Sequence, residues 1–193
     1  NPVNVLETAG ADKNVGSAKY ASEQGYAADY TATPEEAVLS ARTILAYLPS
    51  NKLDKNVYAG CEDDANRATP EVASVVANDN YDVHAVISAV ADGASYKELG
   101  AEKAKNLVTA LTFINGIPCG VVANNPAVKE GKLCAGSLRK AANFVKLCDA
   151  FGVAVLNLVG TVGFDENCEA NGGRVTELAA ALANAYATAT TPV

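Results

Sequence analysis

The sequence lacks several residues and patterns that common classes of protein need. Its 193 residues contain no methionine, no tryptophan and one histidine, His84. No Ser/His/Asp or Cys/His constellation is evident, and the helix-like pattern around His84 favours a structural role over general-base chemistry. Because an intact open reading frame should begin with methionine, the start at Asn1 predicts a piece of a longer protein.

Long apolar runs and an excess of basic charge are also missing. The longest apolar windows, such as residues 153–159, are too short to cross a bilayer, and no secretory signal opens the chain. We therefore expect a soluble, cytoplasmic protein without a transmembrane segment. The net charge is −7, which argues against a nucleic-acid partner because phosphate binding needs a dense basic surface.

The cysteines follow no metal-binding or disulfide pattern. There are five of them, with no C-x-x-C and no regular spacing: Cys61, Cys119, Cys134, Cys148 and Cys168. An odd number predicts reduced thiols of the cytosolic type, and nothing suggests a zinc site or another metal site. Cys119 and Cys148 fall within apolar segments, so we expect both to be small core residues.

Basic residues are concentrated in one part of the chain. Five of the 15 lie within 18 positions: Lys129, Lys132, Arg139, Lys140 and Lys146. The cluster could be a solvated helix face or a patch that binds a small anionic ligand. We favour the solvated face because basic residues commonly cover the exposed side of a helix.

The first third of the chain predicts a helix followed by a connector. In "TATPEEAVLSARTILAYLPSN", Thr33 is placed to cap a helix, Pro34 fits its first position, and Pro49 should end it. Residues 50–80 are rich in polar residues and proline, and we interpret them as an irregular connector. A helix is expected over 81–92, with one apolar face formed by Val83, Val86, Ile87 and Val90.

After Gly100 the pattern changes to that of an α/β structure. "NLVTALTFI" and "PCGVVA" predict two strands joined at Asn115-Gly116, a pair typical of a type I′ hairpin turn. Ser137 could cap a helix that runs to about Ala150 with Leu138, Ala141, Val145 and Cys148 inward, and Gly152 fits its end. Residues 153–159 predict a central strand covered on both faces. A last helix is expected over 174–187.

Three blocks of sequence resemble the carboxyltransferase subunits of biotin-dependent acyl-CoA carboxylases and related decarboxylases. That family reads roughly N-G-x-P-V-G-x-V-A-N-x-P, then K-A-A-R-F-V-x-F-C-D-A-F-N-I-P, then L-V-D-V-P-G-F. The first block is matched by Asn115, Gly116, Pro118, Gly120, Val122, Ala123, Asn124 and Pro126. The second is matched by Lys140, Ala141, Ala142, Phe144, Val145, Cys148, Asp149, Ala150 and Phe151, and the third by Gly163 and Phe164.

The resemblance implies a fold and a division into domains. The fold would be α/β and crotonase-like, a spiral of β-β-α units that is incomplete here. Residues 1–49 would be the tail of the N-terminal carboxyltransferase domain, residues 50–80 the connector, and residues 81–193 the first half of the C-terminal domain. In the family that second domain holds the carboxybiotin side of the active site.

The resemblance also implies a reaction and partners. A carboxyl group would move between biotin and the α-carbon of a short acyl-CoA of the propionyl, acetyl or methylmalonyl type, with backbone N–H groups stabilising the enolate. Biotin would arrive on a biotin carboxyl carrier protein, beside biotin carboxylase or decarboxylase subunits. Trimers or hexamers are usual in the family, whereas this piece is expected to form dimers or other self-associated species. A non-catalytic crotonase-like assembly or binding module is the alternative.

Candidate biotin- or substrate-binding residues lie at two strand ends. Ala123, Asn124 and Asn125 end the return strand, and the asparagine amides offer donors and acceptors to a ureido ring or carboxylate, although simple turn chemistry would also explain them. Gly163 and Phe164 follow the next strand, and we expect both loops at one edge of the sheet.

The third block departs from the family pattern. Its Asp-Val-Pro-Gly-Phe is replaced by residues 160–164, Gly-Thr-Val-Gly-Phe, so the acidic residue and the proline are absent. The family's Gly-Gly oxyanion turns have no counterpart, since Gly172-Gly173 fits a helix-start loop. The resemblance therefore implies that the oxyanion turns lie outside this chain, so its catalytic residues stay unknown and no activity is expected from it alone.

Overall fold

The structure is a computed structural model that describes residues 16–51, 53–54, 58–64, 66–165 and 174–193. The described helices are α1 (Ala18–Gln24), α2 (Pro34–Ala46), α3 (Pro70–Val76), α4 (Val83–Val90), α5 (Ala135–Phe151) and α6 (Arg174–Thr188). The strands are β1 (Tyr96–Glu98), β2 (Leu107–Ile114), β3 (Ile117–Asn124) and β4 (Ala154–Leu158). Short 3-10 turns cover Asp92–Ala94 and Lys129–Gly131. Gly172-Gly173 and Cys168 lie outside the described residues.

The four strands form one sheet in the order β1-β2-β3-β4. Strand β2 is antiparallel to both β1 and β3, and β4 is parallel to β3. Asn115 and Gly116 have φ of 51° and 71°, as a type I′ turn requires, so the predicted hairpin is confirmed. Strand β1 was not predicted, because three residues are too few to show an alternating pattern.

Helix α5 carries the chain from β3 back to the start of β4. Its predicted inward residues Leu138, Ala141, Val145 and Cys148 are all buried. Gly152 closes the helix with a φ of 69°, as expected. The N-cap, however, is Cys134 and not Ser137: Ser137 sits at the third helical position, where its Oγ accepts from Cys134 N–H at 2.7 Å. The serine therefore caps the helix from inside its first turn.

The central position predicted for strand β4 from its apolar run stays a prediction for the protein that contains this chain. Within the described part of the chain β4 ends the sheet, with β3 as its one strand partner. On its outer side Val155 N–H donates to Pro192 O at 2.9 Å. The predicted packing on both sheet faces is confirmed, since Val155 lies in one core cluster and Leu158 packs against the other.

The chain before α4 contains one confirmed helix, α2, and two that were not predicted, α1 and α3. Thr33 caps α2 through a capping box with Glu36, as the sequence predicted. The connector over 50–80 is not irregular throughout, because α3 spans Pro70–Val76 with a proline in its first turn. Its apolar side chains, Val72 and Val75, pack against the core cluster that includes α4. The domain boundaries at 49 and 80 remain predictions.

Two buried clusters cover the two faces of the sheet. One joins α5 and α6 to the sheet and contains Cys148, and the other lies under α4. Cys119 and Cys148 are both buried, as expected for small core residues, and neither forms a disulfide. None of the described helices is long and apolar enough to cross a membrane.

Candidate functional site

The loops after β3 and β4 meet at one edge of the sheet. Because the two strands are parallel, their carboxyl ends lie side by side. Asn124 Oδ1 accepts from Gly160 N–H at 3.4 Å, and Asn124 Nδ2 donates to Gly131 O at 3.1 Å. One asparagine side chain thus ties together the loop after β4 and the turn that precedes α5.

The three predicted residues at the end of β3 are buried. Ala123 is fully buried, and Asn124 and Asn125 are 7% and 4% exposed. Asn125 Oδ1 accepts from Val83 N–H at 3.3 Å, which joins this loop to the start of α4. Both amides therefore hold the framework of the strand ends together. Direct contact of these three residues with a ligand remains a prediction.

The loop that contains Gly163 and Phe164 is pinned to the chain before α5. Gly163 O accepts from Leu133 N–H at 2.8 Å, and Asp165 N–H donates to Leu133 O at 2.9 Å. Gly163 has a φ of +128°, which a side chain would strain. Its own N–H donates to Thr161 Oγ1 at 3.1 Å, so this backbone donor is already used within the loop.

The outer surface of the same loop is apolar. The exposed fractions are 80% for Val159, 69% for Val162 and 52% for Phe164. Three exposed apolar side chains within six residues exceed the scattered ones common on soluble proteins. This surface lies next to the end of β3, so the edge of the sheet presents an apolar patch above a framework of buried amides.

The basic cluster is not simply a solvated helix face. Lys140 has a side chain only 7% exposed, and its Nζ donates to Lys103 O at 3.0 Å and Leu107 O at 2.7 Å. Burial lowers the pKa of Lys140 to about 8. The expectation of a solvated face is therefore wrong for this residue. Lys140 is three residues after the buried Ser137 and next to the buried Ala141, but a charged residue is ordinarily assigned to the solvent face.

His84 lies in the first turn of α4 and pairs with two carboxylates. Its Nδ1 is 2.5 Å from Asp82 Oδ1, and its Nε2 is 3.1 Å from Glu98 Oε2. Burial acts to lower the pKa of His84, but the two carboxylates outweigh it and raise that pKa above its usual value. The histidine joins α4 to β1 as an ion-pair partner.

Three possible metal ligands come together next to the hairpin. Ligand atoms of Cys61, Asp63 and Asp92 lie within 4.8 Å of one another. The Asp92 carboxylate already accepts from the N–H groups of Asn115 and Gly116, and Asp63 Oδ2 is 3.5 Å from Arg67 Nε. These contacts account for the closeness of the three residues: Asp92 holds the hairpin turn, and Asp63 pairs with Arg67.

Comparison with known proteins decides the family. A family model described as the carboxyl transferase domain matches residues 1–193. The chain belongs to the carboxyl transferase domain family. The propionyl-CoA carboxylase beta chain of Roseobacter denitrificans is 36% identical over 161 residues, which is 82% of this chain and 32% of that protein. The methylmalonyl-CoA decarboxylase subunit alpha of Propionigenium modestum is 34% identical over 154 residues, 78% of this chain and 30% of that one.

Solved structures give the same relationship. Transcarboxylase 12S, a hexamer solved with hydrolysed methylmalonyl-coenzyme A bound, superposes with a TM-score of 0.90 and 30% identity over 100% of this chain and 38% of its own. The fold is therefore the crotonase-like carboxyltransferase fold that the sequence predicted. The chain spans about a third of the length of these relatives.

Proposed function

We propose that this chain forms the carboxybiotin side of a biotin-dependent carboxyltransferase. The protein that contains it would move a carboxyl group between biotin and the α-carbon of a short acyl-CoA. The observation that carries the proposal is the 0.90 TM-score to transcarboxylase 12S over the whole of this chain. Propionyl-CoA, acetyl-CoA and methylmalonyl-CoA are the substrate types we propose, in line with the names of the relatives.

The apolar patch after β4 is the proposed contact for the biotin ring. Biotin is an uncharged bicyclic group with an apolar edge, and Phe164 and Val162 offer it apolar surface. Asn124 acts on this loop indirectly by accepting from Gly160 N–H. Ala123 and Asn125 support the same strand end. In this proposal the buried asparagines position the loop, and the exposed side chains meet the ligand.

Charge stabilisation in the reaction would come from outside the described loops. Removing a proton or a carboxylate from the α-carbon of a thioester leaves an enolate, which backbone N–H groups can stabilise. The N–H of Gly163 is unsuited to this role because it donates to Thr161 Oγ1. We therefore keep the expectation that this chain alone does not catalyse the transfer.

The proposal includes partners and a compartment. A biotin carboxyl carrier protein would deliver the cofactor, and biotin carboxylase or decarboxylase subunits would charge or discharge it. The parent protein would assemble as a trimer or hexamer, as its relative transcarboxylase 12S forms a hexamer. The free thiols of Cys61, Cys119 and Cys148 support a reducing compartment such as the cytoplasm.

Replacing Phe164 in the full-length protein tests the proposed biotin contact. Phe164→Ala should raise the KM for a carboxybiotin donor about tenfold, with the KM for the acyl-CoA unchanged, because apolar contact with one substrate is lost. Ile117→Ala is the matched control, since Ile117 is 51% exposed at the other end of β3. Equal effects of the two substitutions on the donor KM would refute the assignment.

A non-catalytic binding module is the second candidate. The observation that favours it is the loop over 160–164, which lacks the acidic residue and proline of the family pattern and uses Gly163 N–H internally. Full-length protein that binds a biotinylated carrier domain but shows no carboxyl transfer with any of the three acyl-CoAs would support this candidate. Measurable transfer would exclude it.

A further inference from the structure

A cavity lies between residues 24–28 and α5. Its volume is about 500 Å³, within the range of small-molecule sites. Residues 24–28 line one side, and the β1–β2 loop, α5 from Ala135 to Leu147 and the start of α6 line the rest. Residues 24–28 and the β1–β2 loop are in direct contact, since Gly100 N–H donates to Ala28 O at 2.6 Å.

The lining of this cavity is positively charged in a protein whose net charge is −7. Four basic side chains line it, and no described lining residue is acidic: the basic residues are Lys103, Arg139, Lys140 and Arg174. Two acidic groups lie nearby. Glu98 Oε1 is 4.0 Å from Lys140 Nζ but is shared with His84, and Glu177 is 3.8 Å from Arg174 at an exposed position.

The cationic groups are held in place by the fold. Lys140 Nζ is fixed by the carbonyl oxygens of Lys103 and Leu107 at the back of the cavity. Arg139 lies next to it on α5 and is exposed, so its guanidinium can reach a ligand. Ala135 and Gly136, in the first turn of this 17-residue helix, also line the cavity and add the positive end of the helix dipole.

We infer that this cavity binds a phosphate-bearing organic anion. Several cations around one cavity suit a ligand with more than one negative charge, and arginine, lysine and a helix N-terminus are the groups that commonly bind phosphate. Apolar lining from Leu99, Phe144 and Leu147 provides contact for an organic part. The phosphate could belong to the coenzyme A tail of a substrate or to a free nucleotide-like effector. The inference stands independently of carboxyl transfer.

Calorimetric titration of the 193-residue chain with inorganic pyrophosphate at low salt tests the site directly. We expect saturable binding that weakens as salt is added, since the contacts are charged. Arg139→Gln should weaken it about tenfold. Lys146→Gln is the matched control, because it removes the same charge from an exposed position of α5 outside the cavity lining and should change the affinity less than twofold.

A second variant, Gly136→Glu, adds a negative charge to the cavity lining without removing a buried side chain. A Cβ at Gly136 would meet its nearest neighbour, Ala104 Cβ, at 3.5 Å, an ordinary contact, so a side chain fits there. Glutamate is favourable in the first turn of a helix, and Gly136→Glu should therefore fold normally. We expect it to weaken pyrophosphate binding at least tenfold, with a circular dichroism spectrum like that of the wild type.

A parallel titration with coenzyme A distinguishes the two sources of the phosphate, the substrate tail and a free effector. Binding of coenzyme A at least tenfold tighter than pyrophosphate, lost in both Arg139→Gln and Gly136→Glu, would assign the site to the substrate tail. Equal binding of the two ligands would assign it to a free phosphate effector. Failure of the wild type to bind either ligand, or equal losses in Arg139→Gln and Lys146→Gln, would overturn the inference.

Discussion

The carboxylate of Asp92 holds the backbone of Gly116 at the tip of the β2–β3 hairpin: its Oδ2 accepts from Gly116 N–H at 2.7 Å. Its other oxygen accepts from Asn115 N–H at 2.9 Å. Burial acts to raise the pKa of Asp92, but these two hydrogen bonds outweigh it and the pKa lies below its usual value. The Asp92 carboxylate therefore satisfies the hydrogen-bonding capacity of both backbone N–H groups of the turn.

Removing this carboxylate should destabilise the hairpin. Asp92→Ala is expected to lower the free energy of unfolding by about 1–3 kcal/mol, because two hydrogen bonds to a charged acceptor are lost. Urea denaturation measures the change. Asp79→Ala, an exposed aspartate outside the turn, is the control and should be close to neutral. Since the folded pKa is depressed, the contribution of Asp92 should be present at neutral pH and lost as pH falls below about 4.

The turn itself requires a residue without a side chain at Gly116. Its φ is +71°, and a Cβ would lie 2.6 Å from Tyr58 Cε2. Gly116→Val should lower the free energy of unfolding by about 1–3 kcal/mol through backbone strain and this contact. Repeating the substitution in a Tyr58→Ala background separates the two causes, because only the contact is relieved there. An unchanged denaturation midpoint for Gly116→Val would show that the turn is of another type.

Gly120 lets α5 approach the sheet closely. A Cβ at this position would lie 2.5 Å from Cys148 Sγ and 3.0 Å from Phe144 Cε1. We expect Gly120→Ala to cost about 1–3 kcal/mol from overpacking, even though alanine is otherwise tolerated in a strand. Combining it with Cys148→Ala should recover at least about 1 kcal/mol relative to the sum of the single effects. Additive effects in this double-mutant cycle would contradict close packing at Gly120.

The pairing of His84 with Asp82 and Glu98 predicts a pH dependence of stability. Because the folded-state pKa of His84 is raised, its contribution is complete below the unfolded value of about 6.5. It is lost as pH rises through the folded pKa. The urea midpoint of the wild type should therefore fall more steeply above pH 6.5 than that of His84→Gln. Parallel pH profiles for the two proteins would show that the ion pairs contribute nothing.

The parts of the fold that depend on local chemistry could be predicted from the sequence. The capping box at Thr33, the turn at Asn115-Gly116 and the end of α5 at Gly152 each follow from conformational preferences of a few neighbouring residues. The number of strands that pair with β4 could not, because an apolar run reports burial on both faces and not the number of neighbouring strands. The three-residue β1 was too short to leave a pattern.

The candidate site was predictable only in outline. The family pattern pointed to Asn124 and to residues 163–164, and the structure brings the two strand ends together through the Asn124–Gly160 hydrogen bond. The burial of both asparagine amides and of Lys140 depends on segments distant in sequence, such as Gly160 for Asn124 and Lys103 for Lys140. No local property of these residues distinguishes a buried polar side chain from a solvated one.

The most direct test of the central claim compares this chain with the full-length protein that contains it. Both are incubated either with a carboxybiotin donor and propionyl-CoA or acetyl-CoA, or with free biotin as acceptor and methylmalonyl-CoA, and the carboxylated or decarboxylated acyl-CoA product is measured. The proposed function predicts turnover by the full-length protein and a rate at least about 100-fold lower for this chain, since the loss of even one oxyanion donor costs that much. Turnover by the chain within tenfold of the full-length protein would contradict the account, because the donors would then lie within these 193 residues.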